Sequence, residues 1–347
     1  MSPINILHVI NEWPAGGIQE QVYLLIKHLP KDRFNHFVIG FRQPDGFFFK
    51  KYQECGAINI IDENVNYPKM EEVVKQYNID IVHKQTGGGD CPDYIFRIKD
   101  MGVKLVESLH CPRQSSIPID LVDRIVFTTP YTISKATKEQ IYSQKFHSIQ
   151  YSIDLDSPLV ESPKKRAKQD KIVVGRLGRI VQDKRPDVIV KLAEISNNLF
   201  GDKIQFKLAG YCPDDNMKAQ LLSVVSKLPN LSYEGFVENK YEFWNSLDIC
   251  INPVWETSFD IVFLEAMACG LPILTWDNSA AKYVVYNAGM IPPEDMYMLF
   301  SGLVKLYKDP ELCRVLGENG IKQIKEKYSL SNFVKKWSQF YEDIVIK

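Results

Sequence analysis

Charge of one sign, paired cysteines and long apolar runs are what this chain has little of, and each shortage removes a class of protein. Its 347 residues carry 42 Lys and Arg against 43 Asp and Glu, a formal net charge of −1. That balance offers no bulk attraction for nucleic acid, so an anionic ligand must be met by local charges. The seven cysteines, Cys55, Cys91, Cys111, Cys212, Cys250, Cys269 and Cys313, are odd in number and never in CxxC spacing. They argue for a reducing cytoplasm and against a structural zinc site. No apolar run is long enough to span a bilayer, and no signal-peptide pattern is visible. No GxGxxG follows a strand and no GxxxxGKS/T occurs, which weakens hydride-transfer and P-loop readings.

What is present is alternation. A chain of this length fits two domains of ordinary size. INILHVI (4–10) reads as a strand, the turn-rich NEWPAGG follows, and an apolar helical period runs from Ile18 to Leu29. Strand, glycine turn and helix make the first unit of an open parallel sheet, and the pattern repeats through FHSIQYS (146–152). A polar, proline-bearing stretch, 157–170, reads as a linker, after which the alternation restarts with KIVVGRL (171–177). The expected organisation is an N-terminal Rossmann-like domain at 1–156, the linker, a second such domain at 171–327, and a last amphipathic helix within 328–347.

Several stretches admit a structural or a functional reading. Gly16 and Gly17 make a tight turn or let backbone approach a ligand. His110 ends a strand, where ligands of parallel sheets gather, and serves either packing or chemistry. FFFKKY (47–52) is one turn of an amphipathic helix with solvated lysines, or a peripheral membrane contact. GRLGRIVQDKRP (175–186) sets Arg176, Arg179, Lys184 and Arg185 in the loop after the second domain's first strand, as a solvated basic loop or a diphosphate site. In PVWETSFDIVFLEAMACGLP (253–272) Ser258 is the expected N-cap of a helix that starts at Phe259 and is covered on all sides. Glu265 is the one carboxylate in that apolar helix and needs a partner, either a Lys, Arg or amide of the protein or the diol of a ligand whose anion sits at the helix start.

Two of these segments, with a third between them, carry a resemblance. GRIVQDKRP resembles a GRLxPEKG segment, YEGFVENKYEFWNSLDICINP a FLGxVxxxxLxxxxADVxVxPS segment, and FDIVFLEAMACGLPI a FGLVLLEAMACGxPV segment. Weaker echoes are AGGIQEQV, IDIVH, His110, and YSID (151–154) in place of NGVD. In that order they resemble the retaining, nucleotide-sugar-dependent glycosyltransferases of the GT-B fold, family 4 type. The resemblance covers essentially the whole chain. It implies an α/β protein with two Rossmann-like βαβ domains facing each other across a cleft, the first on the acceptor side and the second on the donor side.

The resemblance also implies roles. Arg179 and Lys184 hold the donor diphosphate, so neither a metal nor a cofactor is expected. Glu265 holds the ribose hydroxyls, main chain at Phe236 and Val237 meets the base, and amides near Phe259, Asp260 and Ile261 meet phosphate or sugar. Gly16 and Gly17 face the diphosphate, His110 touches a donor-sugar hydroxyl, and the last helix acts as a strap. Two departures stand out. The family's first glutamate falls on Thr257, with Glu256 one position earlier, and the glycine of its FG pair is Asp260, which repels phosphate and suits a sugar hydroxyl instead. The implied partners are a nucleotide-sugar donor and a glycan, lipid-linked or small-molecule acceptor, used in polysaccharide biosynthesis in the cytoplasm or at the inner face of the membrane. The alternatives are a GT-B nucleotide-sugar epimerase and an inactive nucleotide-sugar-binding protein.

Overall fold

The computed structural model describes residues 2–10, 13, 16–41, 47–62, 67–85, 92–112, 115, 117–154, 162–164, 171–277 and 280–345. Of the expected linker, 162–164 are described; the rest of it, the glycine loop 86–91 and Arg113 lie outside the described residues. The chain divides into two units, Met1–Asp154 with Tyr328–Lys347, and Leu155–Lys327.

The first unit runs β1 (Ile4–Ile10), α1 (Gly17–His28), β2 (Phe34–Phe41), α2 (Phe47–Glu54), β3 (Ile58–Asp62), α3 (Tyr67–Gln76), β4 (Ile81–Lys84), α4 (Tyr94–Asp100), β5 (Lys104–Leu109), β6 (Arg124–Phe127), α5 (Pro130–Ser134), α6 (Lys138–Tyr142) and β7 (Phe146–Ser148). Its seven strands lie in the order β3-β2-β1-β4-β5-β6-β7, all parallel. The central strands are buried on both faces, which is why they read as near-continuous apolar runs. The stretch 130–142 forms two short helices, because Thr137 starts α6 with a capping box: its hydroxyl accepts from the Gln140 amide while the Gln140 side chain accepts from the Thr137 amide. In α2, Phe48 and Tyr52 are buried beside Trp13 while Phe47 is exposed, and Lys51 lies 4.3 Å from the Phe47 ring centre. This is the geometry of an amphipathic helix packed on its own sheet.

The second unit runs β8 (Ile172–Leu177), a 3-10 turn at Gln182–Lys184, α7 (Pro186–Phe200), a second 3-10 turn at Gly201–Lys203, β9 (Ile204–Ala209), α8 (Asp215–Val225), β10 (Leu231–Tyr233), α9 (Lys240–Asn245), β11 (Ile249–Ile251), α10 (Ile261–Ala268), β12 (Ile273–Leu274), α11 (Ala281–Val284), β13 (Gly289–Met290), α12 (Met296–Lys308) and α13 (Pro310–Glu326). Its parallel sheet has the order β10-β9-β8-β11-β12-β13. The order reverses between β8 and β11, as it does between β1 and β4 in the first sheet. At such a point the loops leaving the two strands diverge and leave a crevice at their carboxyl ends.

The last helix, α14 (Leu330–Val345), belongs to the first unit. Phe333, Trp337, Phe340, Tyr341 and Ile344 enter one apolar cluster with Ile6, Leu24, Leu25 and Phe34. Each such side chain contributes about 1.5–3 kcal/mol on burial.

Candidate functional site

The site is built where β8 and β11 part. Gly178 follows β8 with φ 142°, and Gly210 follows β9 with φ 133°. A Cβ on Gly210 would stand 2.0 Å from the Gly178 carbonyl oxygen, so only glycine permits this crossing. The Gly178 amide donates to the Ala209 carbonyl at 3.0 Å and the Gly210 amide to the Gly235 carbonyl at 2.6 Å, tying the turns after β8, β9 and β10 together. The cationic loop is thereby aimed over the carboxyl edge of the sheet.

The four cations of that loop are not equivalent. Arg176 is not in the loop but inside β8, 1% exposed; its Nε donates to Asn252 Oδ1 at 3.0 Å and its Nη1 to the Arg179 carbonyl at 3.3 Å. Arg185 takes a left-handed conformation, φ 53°, before Pro186. It is held there by Asp187, and its guanidinium lies 4.6 Å from the Trp255 ring centre and 5.3 Å from that of Trp276. Arg179 is exposed and Lys184 half-buried. The basic loop thus offers two cations to a ligand, and they are the two to which the resemblance gave the diphosphate.

Lys184 Nζ lies 3.4 Å from Asp260 Oδ2, which also accepts from Asn252 Nδ2 at 3.0 Å. Burial alone would raise the Asp260 carboxyl, but Lys184, the Asn252 amide and Arg176 together outweigh it and hold it below the usual carboxylate range. Asp260 is therefore ionised at neutral pH. The expected cap is displaced: α10 starts at Ile261, two residues later than Ser258 predicts, and Asp260 is its N-cap, in extended conformation with no side-chain hydrogen bond to the helix. Thr257, Ser258, Phe259 and Ile261 are buried, whereas Glu256 is exposed.

Glu265 lies in α10, 4% exposed, on a helix buried at every position but Val262. Lys240 pairs with its Oε1 at 2.7 Å, and Trp244 Nε1 donates to its Oε2 at 3.1 Å. The protein itself thus supplies a lysine partner, the plainer of the two expected arrangements. Phe236 is exposed and Val237 half-buried, just beyond Gly235, whose φ is 70°.

Gly16, Gly17 and His110 belong to the first unit. Gly16 is the N-cap of α1 in fully extended backbone, φ −167°, and Gly17 opens the helix. His110 is committed within its own unit: Nε2 lies 2.8 Å from Gln85 Oε1, and Nδ1 meets the Tyr151 hydroxyl. Since a carbonyl oxygen only accepts, Nε2 carries the proton and Nδ1 accepts from Tyr151. Burial, and then the nearby Lys84 charge, push the His110 pKa down to about 3. The YSID echo has a structural task as well: Ser152 exchanges hydrogen bonds with Gln21, and Asp154 holds Lys27 at 2.6 Å and His28 at 2.7 Å.

Sequence reasoning passed over Asn252, Lys240 and Trp244 as site residues, although all three lie in a quoted family segment. A polar residue closing the apolar strand ICI was the available signal for Asn252.

Comparison with known proteins bears on the fold and on the family of the second unit. Residues 170–309 match the family described as Glycosyl transferases group 1. The capsular polysaccharide biosynthesis glycosyltransferase CapM of Staphylococcus aureus is 24% identical over 179 residues, 50% of this chain and 47% of that protein. The matched part thus spans about half the length of that relative. Among solved structures, Anabaena Alr3699/HepE in complex with UDP and glucose superposes with a TM-score of 0.77 at 14% identity, covering 98% of this chain and all of the other. A glycosyltransferase from Rickettsia africae gives 0.78 at 15% identity, over 99% of each chain. The fold is GT-B, two Rossmann-like parallel-sheet domains, and the stretch that matches the glycosyl transferases group 1 model lies in the second unit. The resemblance drawn from the ordered segments is borne out in the GT-B fold and in the group 1 glycosyltransferase match.

Proposed function

We propose that this protein transfers a sugar from a nucleotide diphosphate donor to a hydroxyl acceptor in the assembly of a polysaccharide. The observation that carries the reading is the pair Arg179 and Lys184 at the switch point of the second sheet, within the group 1 domain. The name of the staphylococcal relative supports the polysaccharide assignment. The two cations hold the diphosphate and offset the charge it gains as the bond to the sugar breaks, so the reaction uses neither metal nor cofactor. The acceptor oxygen attacks from the face the diphosphate leaves, retaining the anomeric configuration. Its proton passes to the departing phosphate oxygen, so no protein base is required. Trp244 orients the Glu265 carboxylate, and Oε1, shared with the half-exposed Lys240, takes the ribose hydroxyls. The acceptor, a glycan, lipid-linked glycan or small molecule, binds the first unit in the cytoplasm or at the inner membrane face. Among the described residues no helix is long and apolar enough to cross a membrane.

A thermal-shift panel of nucleoside diphosphates and their sugars tests the reading, because a ligand bound only by the folded state raises its stability; at a hundred times its Kd the gain is about 2.7 kcal/mol. One base is expected to raise the melting temperature with and without its sugar. No shift with any of them sinks the assignment.

A further inference from the structure

We propose that Asp260 distinguishes a sugar nucleotide from the free nucleoside diphosphate, by accepting a hydroxyl of the transferred sugar at Oδ1. The inference rests on the reading above, that this site takes a nucleotide sugar. A carboxylate at a helix N-cap ordinarily turns back onto the first-turn amides. Asp260 does not; its side chain points away to Asn252 and Lys184. Both donors fall on Oδ2, and among the described residues Oδ1 makes no hydrogen bond.

The orientation is enforced from below. Asn252 is wholly buried, and its amide cannot flip, because Arg176 Nε donates to its Oδ1 and a guanidinium has nothing to accept with. Its Nδ2 must therefore face Asp260. Arg176 is in turn locked inside β8 and tied to the Arg179 carbonyl. The relay Arg176, Asn252, Asp260, Lys184 thus fixes the plane of the carboxylate and leaves one defined oxygen open beside the proposed phosphate-binding lysine.

An ionised oxygen there accepts O–H and repels added negative charge. A sugar nucleotide brings hydroxyls and a terminal phosphate whose esterified oxygen carries no charge. The free diphosphate brings no hydroxyl beyond that phosphate, and one more negative charge. Asp260 accordingly favours the substrate over the leaving product. Glycine, which the resembling family carries here, would do neither. Thr257 has no carboxylate to substitute for it.

Calorimetric titration of the full chain with UDP, GDP and ADP and with their glucose and N-acetylglucosamine esters tests this, using wild type, Asp260→Ala and Asp260→Asn. The asparagine variant keeps an oxygen for Asn252 and Lys184 and presents an NH2 group where Oδ1 stood, so the relay and the fold survive. For the base that binds, both variants are expected to lose about tenfold to a hundredfold in the ratio of sugar-nucleotide to diphosphate affinity, with the bare diphosphate bound as tightly as before or more so. Equal loss for both ligands would assign Asp260 to structure alone and overturn the inference, leaving the proposed function standing. No binding of any of these nucleotides by wild type would overturn both.

Discussion

The two sheets share a strand order through their first strands, yet the strands that flank the reversal, and their neighbours, carry opposite chemistry. All six histidines of the chain lie in the first unit. Four of them form a neutral interior: His8 Nε2 lies 3.1 Å from His36 Nδ1, Gln85 Nε2 lies 3.1 Å from His83 Nδ1, His83 reaches Ser108 and Tyr341 at 2.7 Å, and Gln85 passes the chain on to His110. Burial drives His8 down to about 3 and His36 and His83 well below the ordinary histidine value. The second unit has no histidine and puts permanent charge at the same topological place: Arg176, Arg179, Lys184 and the ionised Asp260. The scaffold sets where a ligand sits, and the side chains at the reversal decide what it is.

Acidification should separate the two most strongly. A histidine whose folded pKa is lowered binds its proton only when unfolded, so its stabilisation is complete above pH 6.5 and is lost as pH falls from 6.5 toward 3. His8 alone then costs about 2 kcal/mol at pH 5. Asp260 has the opposite sign of charge but the same direction: its depressed pKa stabilises above the unfolded value of 3.8, and that contribution goes only as pH drops below it. Amide hydrogen exchange at pH 7.5 and pH 5 should therefore show protection lost in β1, β2 and β4 and kept in β8, β9 and β11. Equal loss in both sheets would break the comparison.

Gly210→Ala is expected to hit the second unit alone, destabilising it by about 4 kcal/mol, since the new Cβ meets backbone and the φ is wrong for it. Urea unfolding of the variant would check this, and a loss under about 1 kcal/mol would mean that the crossing can relax. Lys184→Ala is the smaller change in energy and the sharper one in function. Turnover should fall about a hundredfold or more with the melting temperature kept within a few degrees. A variant at near-wild-type rate would remove the electrophilic role.

How much of this could be seen in the chain itself follows from distance along it. The βα alternation is local, so strands and helices appear close to where they are expected: β1 at 4–10, as read from INILHVI, and α2 (Phe47–Glu54) from the first residue of FFFKKY. Residues 273–327 carried no element-by-element reading: β12, β13 and α11 are too short to show a period, whereas α12 and α13 have a helical period and an Asp cap each and were passed over. Lys184 and Glu265 were visible through family segments. The relay was not, since Arg176 and Asn252 stand 76 residues apart and meet only because β8 and β11 are neighbours across a crossover. Arg185 looked like a ligand cation for the same reason: nothing in GRIVQDKRP announces Trp255 and Trp276 beside it.

The closing helix has a consequence in time. Because α14 completes the core that Ile6, Leu24 and Phe34 begin, the core of the first unit waits until α14 has been made. On the ribosome the second unit, continuous from Leu155 to Lys327, has its whole core in hand while the first still exposes an apolar groove. Of the two units, the one whose synthesis starts earlier is therefore the one whose core closes later.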